Sequence, residues 1–431
     1  MHVELSYDQE KITITLPDQA TVFQTTYPTP DSDGTSIVES ALRSPIRSAA
    51  LESLLKNRRA GYVVIVVSDI SRPVPYAKFL PVLLAKIQAA GVHPQEIIIL
   101  IATGMHRPST AAEREEILGD HIAATYRIED HNAEADDLVE LPKKSWAGKP
   151  ITLNRRFVEA GFRIVTGLVE PHFMAGFSGG RKAVCPGLAS LDTVQQFHGY
   201  EFLDDEHATN ASLDNNPCHL EALSVAQAVN VDFSLNVVLN HDRQIVRAFA
   251  GELDAAHRVA CDFVRQHANP LVEKEFDVVL TNSAGYPLDT TFYQCVKSLV
   301  SALPLVKPGG AIVTMGGCRE GVGSNSYKNI MLKYSGNYEQ FLQDIANTKV
   351  VKDQWQFQMH TRVLDKVGAE NIHFFTDGLP QEILDQLSCN GVSTTDIQES
   401  VQGKIDEYVA RGNSICVTPE GPYCSPVKMS T

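Results

Sequence analysis

A turn-rich loop at residues 170–187 contains the side chains best suited to chemistry in this sequence. It brings together an imidazole, a hydroxyl, two glycines and two cations: His172, Ser178, Gly179, Gly180, Arg181 and Lys182. Glycines let a backbone approach a ligand closely, and successive N–H groups at 178–181 predict an anion-binding nest beside the two cations. A Walker A loop needs a hydroxyl residue directly after its lysine, but Ala183 follows here, so a magnesium nucleotide would lack a metal ligand. The alternative is a glycine-rich turn with a solvated Arg-Lys pair, and the nearby His172 favours a ligand site.

Two other loops contain polar side chains that follow predicted strands. Asp69, Ser71 and Arg72 follow the first strand, and His106 follows the second. Each has a structural alternative, because Asp69 and Arg72 can simply pair with each other. His106 can be a spacer before a helix that Thr110 and Glu113 cap. Three polar loops at one sheet edge nevertheless favour a functional site.

Further candidates lie on predicted helices. The pattern of residues 191–200 predicts a helix that ends at Gly199 and has His198 in its last turn. An imidazole in this position either complements the helix dipole or binds a metal. Gln294 and Lys297 are spaced i, i+3 and share one helical face. That face is either solvated or directed at a ligand.

The elements that must position these side chains form an α/β pattern. Apolar runs at 62–67, 97–101 and 162–168 predict buried strands, and a helix is expected at 76–90. Strand, helix and strand in this order make a right-handed βαβ unit, in which ligands gather at the carboxyl ends of the strands. All three polar loops lie at that edge.

The rest of the chain extends this pattern. We expect a hairpin within residues 2–24 that covers a sheet edge, a helix at 43–58, a second hairpin at 233–250 and a helix at 252–266. After Asn269-Pro270 the strand pattern restarts, with strands at 276–281, 311–315, 372–376 and 415–418. We therefore predict two α/β domains with largely parallel sheets, residues 1–268 and 269–431, facing each other across an active-site cleft. The last 20 or so residues are expected to pack back on the N-terminal domain.

Composition excludes several classes of protein. With 52 acidic and 37 basic residues the formal net charge is −15, which disfavours binding to nucleic acids or to an anionic membrane. No long apolar span or signal sequence is recognisable, so we expect a soluble, cytoplasmic protein. The eight cysteines contain no C-x-x-C pair, so neither a zinc knuckle nor a disulfide framework is indicated.

Five motifs, in order along most of the chain, resemble those of the nickel-pincer lactate racemases and their 2-hydroxyacid racemase and epimerase relatives. They are Asp69-Ile-Ser71-Arg72-Pro73, Gly104-Met-His106-Arg-Pro108, the stretch from Glu170-Pro-His172 to Gly176-Phe-Ser-Gly-Gly-Arg-Lys182, Phe197-His198-Gly199, and Gln294-x-x-Lys297. The resemblance implies an isomerase that racemises or epimerises a small, lactate-like 2-hydroxy acid. The implied reaction passes hydride from the substrate to a cofactor and forms a 2-keto acid intermediate.

The resemblance also implies a cofactor and a role for each residue. The cofactor is a nickel-pincer nucleotide, pyridinium-3-thioamide-5-thiocarboxylic acid mononucleotide, bound covalently to Lys182 and supplied by cofactor-biosynthesis proteins. His198 is the implied nickel ligand, while His106 and His172, each expected near neutral pKa, are the implied general bases on opposite faces of the substrate. Arg72, Gln294 and Lys297 are expected to bind the substrate. The expected cofactor contacts are Asp69, Ser71, Ser178, Gly179, Gly180, Arg181 and Trp355.

Two alternative functions are compatible with the same residues. One is a zinc-type hydrolase whose metal is held by His106, His172 and His198. The other is a noncatalytic protein that binds a phosphorylated metabolite with the glycine-rich loop.

Overall fold

The computed structural model describes residues 1–30 and 32–428. Its strands are β1 (His2–Tyr7), β2 (Glu10–Thr15), β3 (Thr21–Val22), β4 (Val63–Ser68), β5 (Ile97–Ala102), β6 (Arg127–Asp130), β7 (Val139–Glu140), β8 (Thr152–Leu153), β9 (Phe162–Leu168), β10 (Pro171–His172), β11 (Gly176–Phe177), β12 (Phe233–Leu239), β13 (Ile245–Gly251), β14 (Leu271–Val272), β15 (Phe276–Thr281), β16 (Val306–Met315), β17 (Ile372–Thr376), β18 (Asn390–Ser393), β19 (Ile415–Thr418) and β20 (Val427–Lys428). Its α-helices are α1 (Gly34–Arg43), α2 (Leu51–Lys56), α3 (Tyr76–Ala89), α4 (Ala111–Leu118), α5 (Asp120–Thr125), α6 (Arg155–Val158), α7 (Leu191–Phe197), α8 (Tyr200–Asp204), α9 (Pro217–Ala228), α10 (Leu253–Ala268), α11 (Phe292–Ala302), α12 (Asn325–Lys333), α13 (Tyr338–Ala346), α14 (Gln354–Val367), α15 (Gln381–Leu384) and α16 (Ile397–Ala410).

Two six-stranded sheets organise the fold, as the α/β prediction required. The first has the order β13-β12-β9-β4-β5-β6, in which only the β12–β13 pair is antiparallel. The second, β18-β17-β16-β15-β19-β3, is parallel throughout. Strands β4, β5 and β9 are buried along almost their whole length because helices cover both faces of the sheet, which explains their continuous apolar sequences.

The N-terminal hairpin differs from the prediction in its location. Strands β1 and β2 pair as expected, but their buried residues Leu5, Ile12 and Ile14 share a core with Val278 and Leu280 of the second sheet. Strand β3 is the edge strand of that sheet, where Thr21 pairs with Cys416. Residues 1–22 therefore belong structurally with the second sheet and not with the first domain. A period of two shows which face of a hairpin is buried, but it does not show against which sheet.

The helix predicted at 43–58 is also wrong, because the segment contains a break. Helix α1 ends at Arg43 and α2 begins at Leu51. Pro45 lies between them, and proline disfavours a helical conformation in the residue before it. Ile46 instead forms a β-bridge with Gly251, and its N–H donates to the carbonyl oxygen of Ala250.

The C-terminal segment runs back along the end of α10. Strand β20 pairs with β14, and the N–H of Ser425 donates to the carbonyl oxygen of Ala268. The domain boundary at residues 268–269 stays a prediction, and residues 429–431 lie outside the described part of the chain. Among the residues that are described, no helix is both long and apolar enough to cross a membrane.

Candidate active site

A cavity of about 660 Å³ lies between the carboxyl ends of β4, β5 and β9 and the helices α11 and α14 of the second half. Most of the predicted site residues meet there, although they come from segments far apart in the sequence. Those that line it are Asp69, Ser71, Arg72, His106, His172, Ser178, Gly179, Lys182, His198, Gln294, Lys297 and Trp355.

His106 is held by the carboxylate of Asp69. The Nδ1 atom of His106 lies 2.5 Å from Oδ2 of Asp69, and Oγ of Ser71 donates to Oδ1 at 2.6 Å. Burial raises the pKa of Asp69, but the hydrogen bonds from His106 and Ser71 and the charges of His106 and Arg72 outweigh burial and lower that pKa overall. Because Nδ1 donates its proton to a carboxylate, Nε2 is left with a lone pair that can accept a proton.

His172 is held in the opposite way. Its Nδ1 accepts from the N–H groups of Met174 and Ala175, each at 3.2 Å, so the neutral ring carries its proton on Nε2. Burial, followed by the positive charges of Lys182, Lys297, Arg72 and Arg181, lowers the pKa of His172 well below its usual value. The expectation of a near-neutral pKa is therefore wrong for His172, because four cations from three segments surround a half-buried ring.

Lys182 lies in a short 3₁₀ turn, Gly180–Ala183, and lines the cavity. Its Nζ lies 4.9 Å from the centre of the Phe197 ring. Burial lowers the pKa of Lys182 to about 7, and the charges of Arg181 and Arg72 act in the same direction. A buried amine with this pKa is largely neutral above pH 7, so it can act as a nucleophile or accept an acyl group.

His198 is oriented by contacts from both halves of the chain. Its Nδ1 lies 2.9 Å from the carbonyl oxygen of Val194, to which it donates, and this leaves Nε2 unprotonated for a metal. The indole of Trp355 stacks on the imidazole with 4.4 Å between ring centroids, and Trp355 Nε1 donates to the hydroxyl of Tyr293 at 2.9 Å. Burial, followed by the charge of Lys182, lowers the pKa of His198 to about 3, so the ring is neutral as a metal ligand must be.

The glycine-rich segment does not form the predicted nest. The N–H of Ser178 donates to the carbonyl oxygen of Glu170 at 2.9 Å, and the N–H of Gly180 donates to Oδ1 of Asn236 at 3.0 Å. These donors are satisfied within the protein, so they are not free for an anion. Gly180 does not line the cavity, and a Cβ there would lie 2.7 Å from the His257 ring. The glycine is thus needed for close packing.

Arg181 is also placed away from the cavity. Its side chain is only 1% exposed; Nη2 donates to the carbonyl oxygen of Ala175 at 2.7 Å, and Nη1 lies 2.9 Å from Nε2 of His257. Arg181 therefore supports the loop that bears His172 and Ala175. Sequence reasoning assigned it to the ligand because consecutive side chains in an irregular turn give no indication of direction.

Sequence reasoning assigned no role to several residues that line the cavity, among them Tyr293, Asp353 and Glu170. Tyr293 precedes Gln294, and its hydroxyl accepts a hydrogen bond from Trp355 Nε1. Asp353 has a positive φ of 68° and accepts a hydrogen bond from Ser324. Glu170 lies beside Arg72 and Lys297. The available signal for Glu170 was its position two residues after the strand predicted at 162–168 and two residues before His172. No such signal marked Asp353.

The arrangement can hold a metal with help from a nonprotein group. Within residues 1–30 and 32–428, no group of three or more His, Cys, Asp or Glu side chains is suited to bind a metal on its own. This finding counts against the zinc hydrolase, which needed such a group. A single neutral imidazole at His198 and a buried amine at Lys182 do fit a metal whose other ligands come from a lysine-bound cofactor.

Fold and site together define a two-domain α/β enzyme with acid–base groups and cations around one cleft. The lactate racemase N-terminal domain family matches residues 7–211, and the lactate racemase C-terminal domain family matches residues 271–423. The chain therefore belongs to the lactate racemase family, whose members are isomerases.

Individual relatives agree with this assignment. The lactate racemase of Lactiplantibacillus plantarum is 33% identical over 430 residues, which cover 97% of this chain and 98% of the relative. The lactate racemase of Thermoanaerobacterium thermosaccharolyticum is 32% identical over 84% of this chain and 86% of its own. The structure of the lactate racemase apoprotein from that organism matches the whole of both chains with a TM-score of 0.89 at 29% identity. A protein from Thermotoga maritima shares the fold, with a TM-score of 0.67 at 16% identity over 89% of this chain and 100% of its own.

Proposed function

We propose that this enzyme racemises a small 2-hydroxy acid of the lactate type, with a nickel-pincer nucleotide bound covalently to Lys182. The observation that carries the proposal is that Lys182, His198, His106 and His172 line the same cavity as Arg72 and Lys297. The family supports a racemase, while the lysine environment and the orientation of His198 support the tethered nickel cofactor.

The residues that would hold the cofactor are Lys182, His198 and Trp355. The amine of Lys182 would provide the covalent bond, His198 Nε2 would bind the nickel, and Trp355 would pack beside the site. When bound, the cofactor supplies a reversible acceptor for the hydrogen and electron pair at C2 of the substrate. Its loading requires cofactor-biosynthesis proteins in the host.

Arg72 and Lys297 would bind the substrate carboxylate. Both side chains line the cavity, and neither forms a salt bridge with a residue in the described ranges. A guanidinium can hold a carboxylate through two parallel hydrogen bonds, and Gln294 lines the same cavity beside the two cations. Together they would fix C2 between the two histidines.

The two histidines have different starting roles. His106 presents an Nε2 lone pair and would accept the substrate hydroxyl proton, while Asp69 stabilises the resulting imidazolium. His172 presents an N–H and would donate a hydrogen bond to the substrate oxygen. To exchange a proton for the opposite enantiomer, His172 must first release the N–H groups of Met174 and Ala175 from Nδ1. Racemisation also requires that the 2-keto acid reorient before hydrogen returns to the opposite face of C2, and in that orientation His172 would supply the proton to the substrate oxygen.

The test is to produce the protein in a host that makes the cofactor and to measure three quantities. Peptide mass spectrometry should find a mass increase on the peptide containing Lys182, elemental analysis should find nickel, and a chiral assay should detect racemisation of 2-hydroxy acids. His106→Ala and His172→Ala should each reduce the rate by about 100-fold or more.

The control is Lys182→Ala, which should lose the mass increase, nickel and activity together. Full activity in Lys182→Ala or in the double histidine variant would contradict the proposal. Turnover with zinc alone would favour the hydrolase, and ligand binding without any turnover would favour the metabolite-binding protein.

A further inference from the structure

Helix α14 presents three side chains of one face to His198 and to the segment that follows it. Trp355, Gln358 and Arg362 are spaced i, i+3 and i+7, which places them along one side of the helix. Trp355 stacks on the imidazole of His198, with 4.4 Å between the ring centroids. The other two side chains reach the main chain just beyond His198, so one helix of the second half holds this part of the first half.

Gln358 and Arg362 bind carbonyl oxygens of the short helix α8 and of the turn after it. Nε2 of Gln358 donates to the carbonyl oxygen of Tyr200 at 3.0 Å. Both terminal nitrogens of Arg362 are engaged, and together they donate to three carbonyl oxygens, those of Leu203, Asp205 and Ala208. The guanidinium therefore gathers the main chain at the end of α8 around a single side chain.

Helix α8 needs this support because it is very short. It has five residues, Tyr200–Asp204, whereas an isolated helix in water is marginal below about 12–15 residues. Its last carbonyl groups have no partner inside the helix and must find donors elsewhere. Only Gly199 separates α8 from His198, so a displacement of the helix would move the imidazole as well.

We propose that Gln358 and Arg362 are positioning residues for the metal ligand His198, because they hold α8 and thereby keep the imidazole stacked on Trp355. Neither residue lines the cavity, so neither acts on the substrate or the cofactor by contact. A ligand that is fixed before the metal arrives loses less conformational entropy on binding. The inference rests on the proposed function, since it takes His198 as the nickel ligand.

The first measurement is the rate at which the loaded enzyme loses nickel to a chelator. Arg362→Lys keeps the positive charge but has one nitrogen where Arg362 uses two, so nickel loss should be about tenfold faster or more. Gln358→Met keeps a similar side-chain length and removes only the hydrogen bond to Tyr200. It should accelerate nickel loss by about 2- to 10-fold.

The matched control is Arg163→Lys. Arg163 also binds carbonyl oxygens at the end of a short helix, those of Phe157 and Val158 in α6. It lies near the start of β9, whereas the cavity borders the carboxyl end of that strand. The control should lower the melting temperature but change the rate of nickel loss by less than about twofold.

A second measurement does not depend on nickel. Trp146 and Trp355 are the two tryptophans of the chain, so a Trp146→Phe background leaves Trp355 as the single fluorophore. Trp355 is only 2% exposed, and the His198 ring covers one of its faces. In protein made without the cofactor, the Gln358 and Arg362 variants should show stronger quenching of this fluorescence by acrylamide, while the control should match the background protein.

These measurements separate the possible outcomes. Nickel loss at the wild-type rate in a folded Arg362→Lys enzyme would overturn the proposal. Equal acceleration in Arg163→Lys would also overturn it, because nickel loss would then follow overall stability. If Arg362→Lys does not fold, Gln358→Met decides by the same criteria. A wild type that takes up no nickel would refute the proposed function, and unchanged acrylamide quenching would still refute the positioning of His198.

Discussion

The indole ring of Trp355 lies nearly parallel to the imidazole of His198, with 23° between their planes and 4.4 Å between their centroids. Trp355 comes from the first turn of α14, and His198 directly follows α7, so the contact joins the two halves of the chain. The stacking fixes the ring that is expected to bind nickel. A metal ligand that is already oriented loses less conformational entropy when it binds.

Loss of this contact should weaken nickel retention. Aromatic pairs of this kind contribute about 0.5–1.5 kcal/mol, so Trp355→Ala should increase nickel loss by about 2- to 10-fold. The measurement is nickel content after dialysis against a chelator. Trp146→Ala is the control, because Trp146 is the other tryptophan of the chain and is 53% exposed. Equal nickel retention in Trp355→Ala and wild type would show that the stacking has no role in metal binding.

Asp69→Asn should reduce kcat by about 100-fold or more. An amide can donate to His106 Nδ1, which would place the proton on Nε2 and remove the lone pair that faces the substrate. Ser71→Ala removes only one hydrogen bond, from a neutral hydroxyl to the same carboxylate, and should cost less than about tenfold. Chiral assays at saturating substrate would measure both effects, and a fully active Asp69→Asn enzyme would disprove the role of the carboxylate.

The amine of Lys182 should react at lower pH than an ordinary lysine in protein made without the cofactor. Its pKa of about 7, against the usual 10.5, means that the neutral, nucleophilic form grows as the pH rises through 7. We expect the rate of acylation of Lys182, followed by peptide mass spectrometry between pH 5 and 9, to be half-maximal near pH 7. A rate that still rises tenfold per pH unit above pH 8 would show that the amine is not perturbed.

The same shift should appear in the stability of that protein. Since the folded-state pKa is lowered, the unfolded chain binds more protons between pH 7 and 10.5. The contribution of Lys182 therefore opposes folding below pH 7 and disappears as the pH rises through this window. Lys182→Met should remove this pH dependence from the melting temperature.

Gly180→Ala should lower the melting temperature more than Gly91→Ala does. Both glycines have a positive φ, 52° at Gly180 and 86° at Gly91, so a new Cβ introduces backbone strain in both variants. At Gly180 the Cβ would also lie 2.7 Å from the His257 ring, whereas at Gly91 no atom lies within 4 Å. The clash should cost about 1–3 kcal/mol more, and equal melting temperatures would show that His257 moves away easily.

Local patterns in the sequence were enough to predict the scaffold of the site. The apolar runs of β4, β5 and β9 indicated buried parallel strands, and Thr110 and Glu113 indicated the start of α4, where the structure has a capping box. Since parallel strands place their carboxyl ends at one edge, the convergence of His106 and His172 at a single cavity was also predictable.

Other features depend on contacts between distant segments. The N-terminal hairpin packs on the second sheet, Arg181 contacts His257, and Glu170 lines a recess together with Lys297. Arg181 and His257 are 76 residues apart in the sequence, and the other contacts join residues that are further apart. The proton positions in His106 and His172 likewise follow from partners that only the folded chain supplies.

The sequence by itself therefore determined which elements form and which side chains stand at the edge of the sheet, because periodicity, capping and turn preferences act over a few residues. Only the tertiary structure decided the direction of each side chain and the nitrogen that carries each proton. These properties depend on burial and on charges from distant segments, and no short stretch of sequence contains that information.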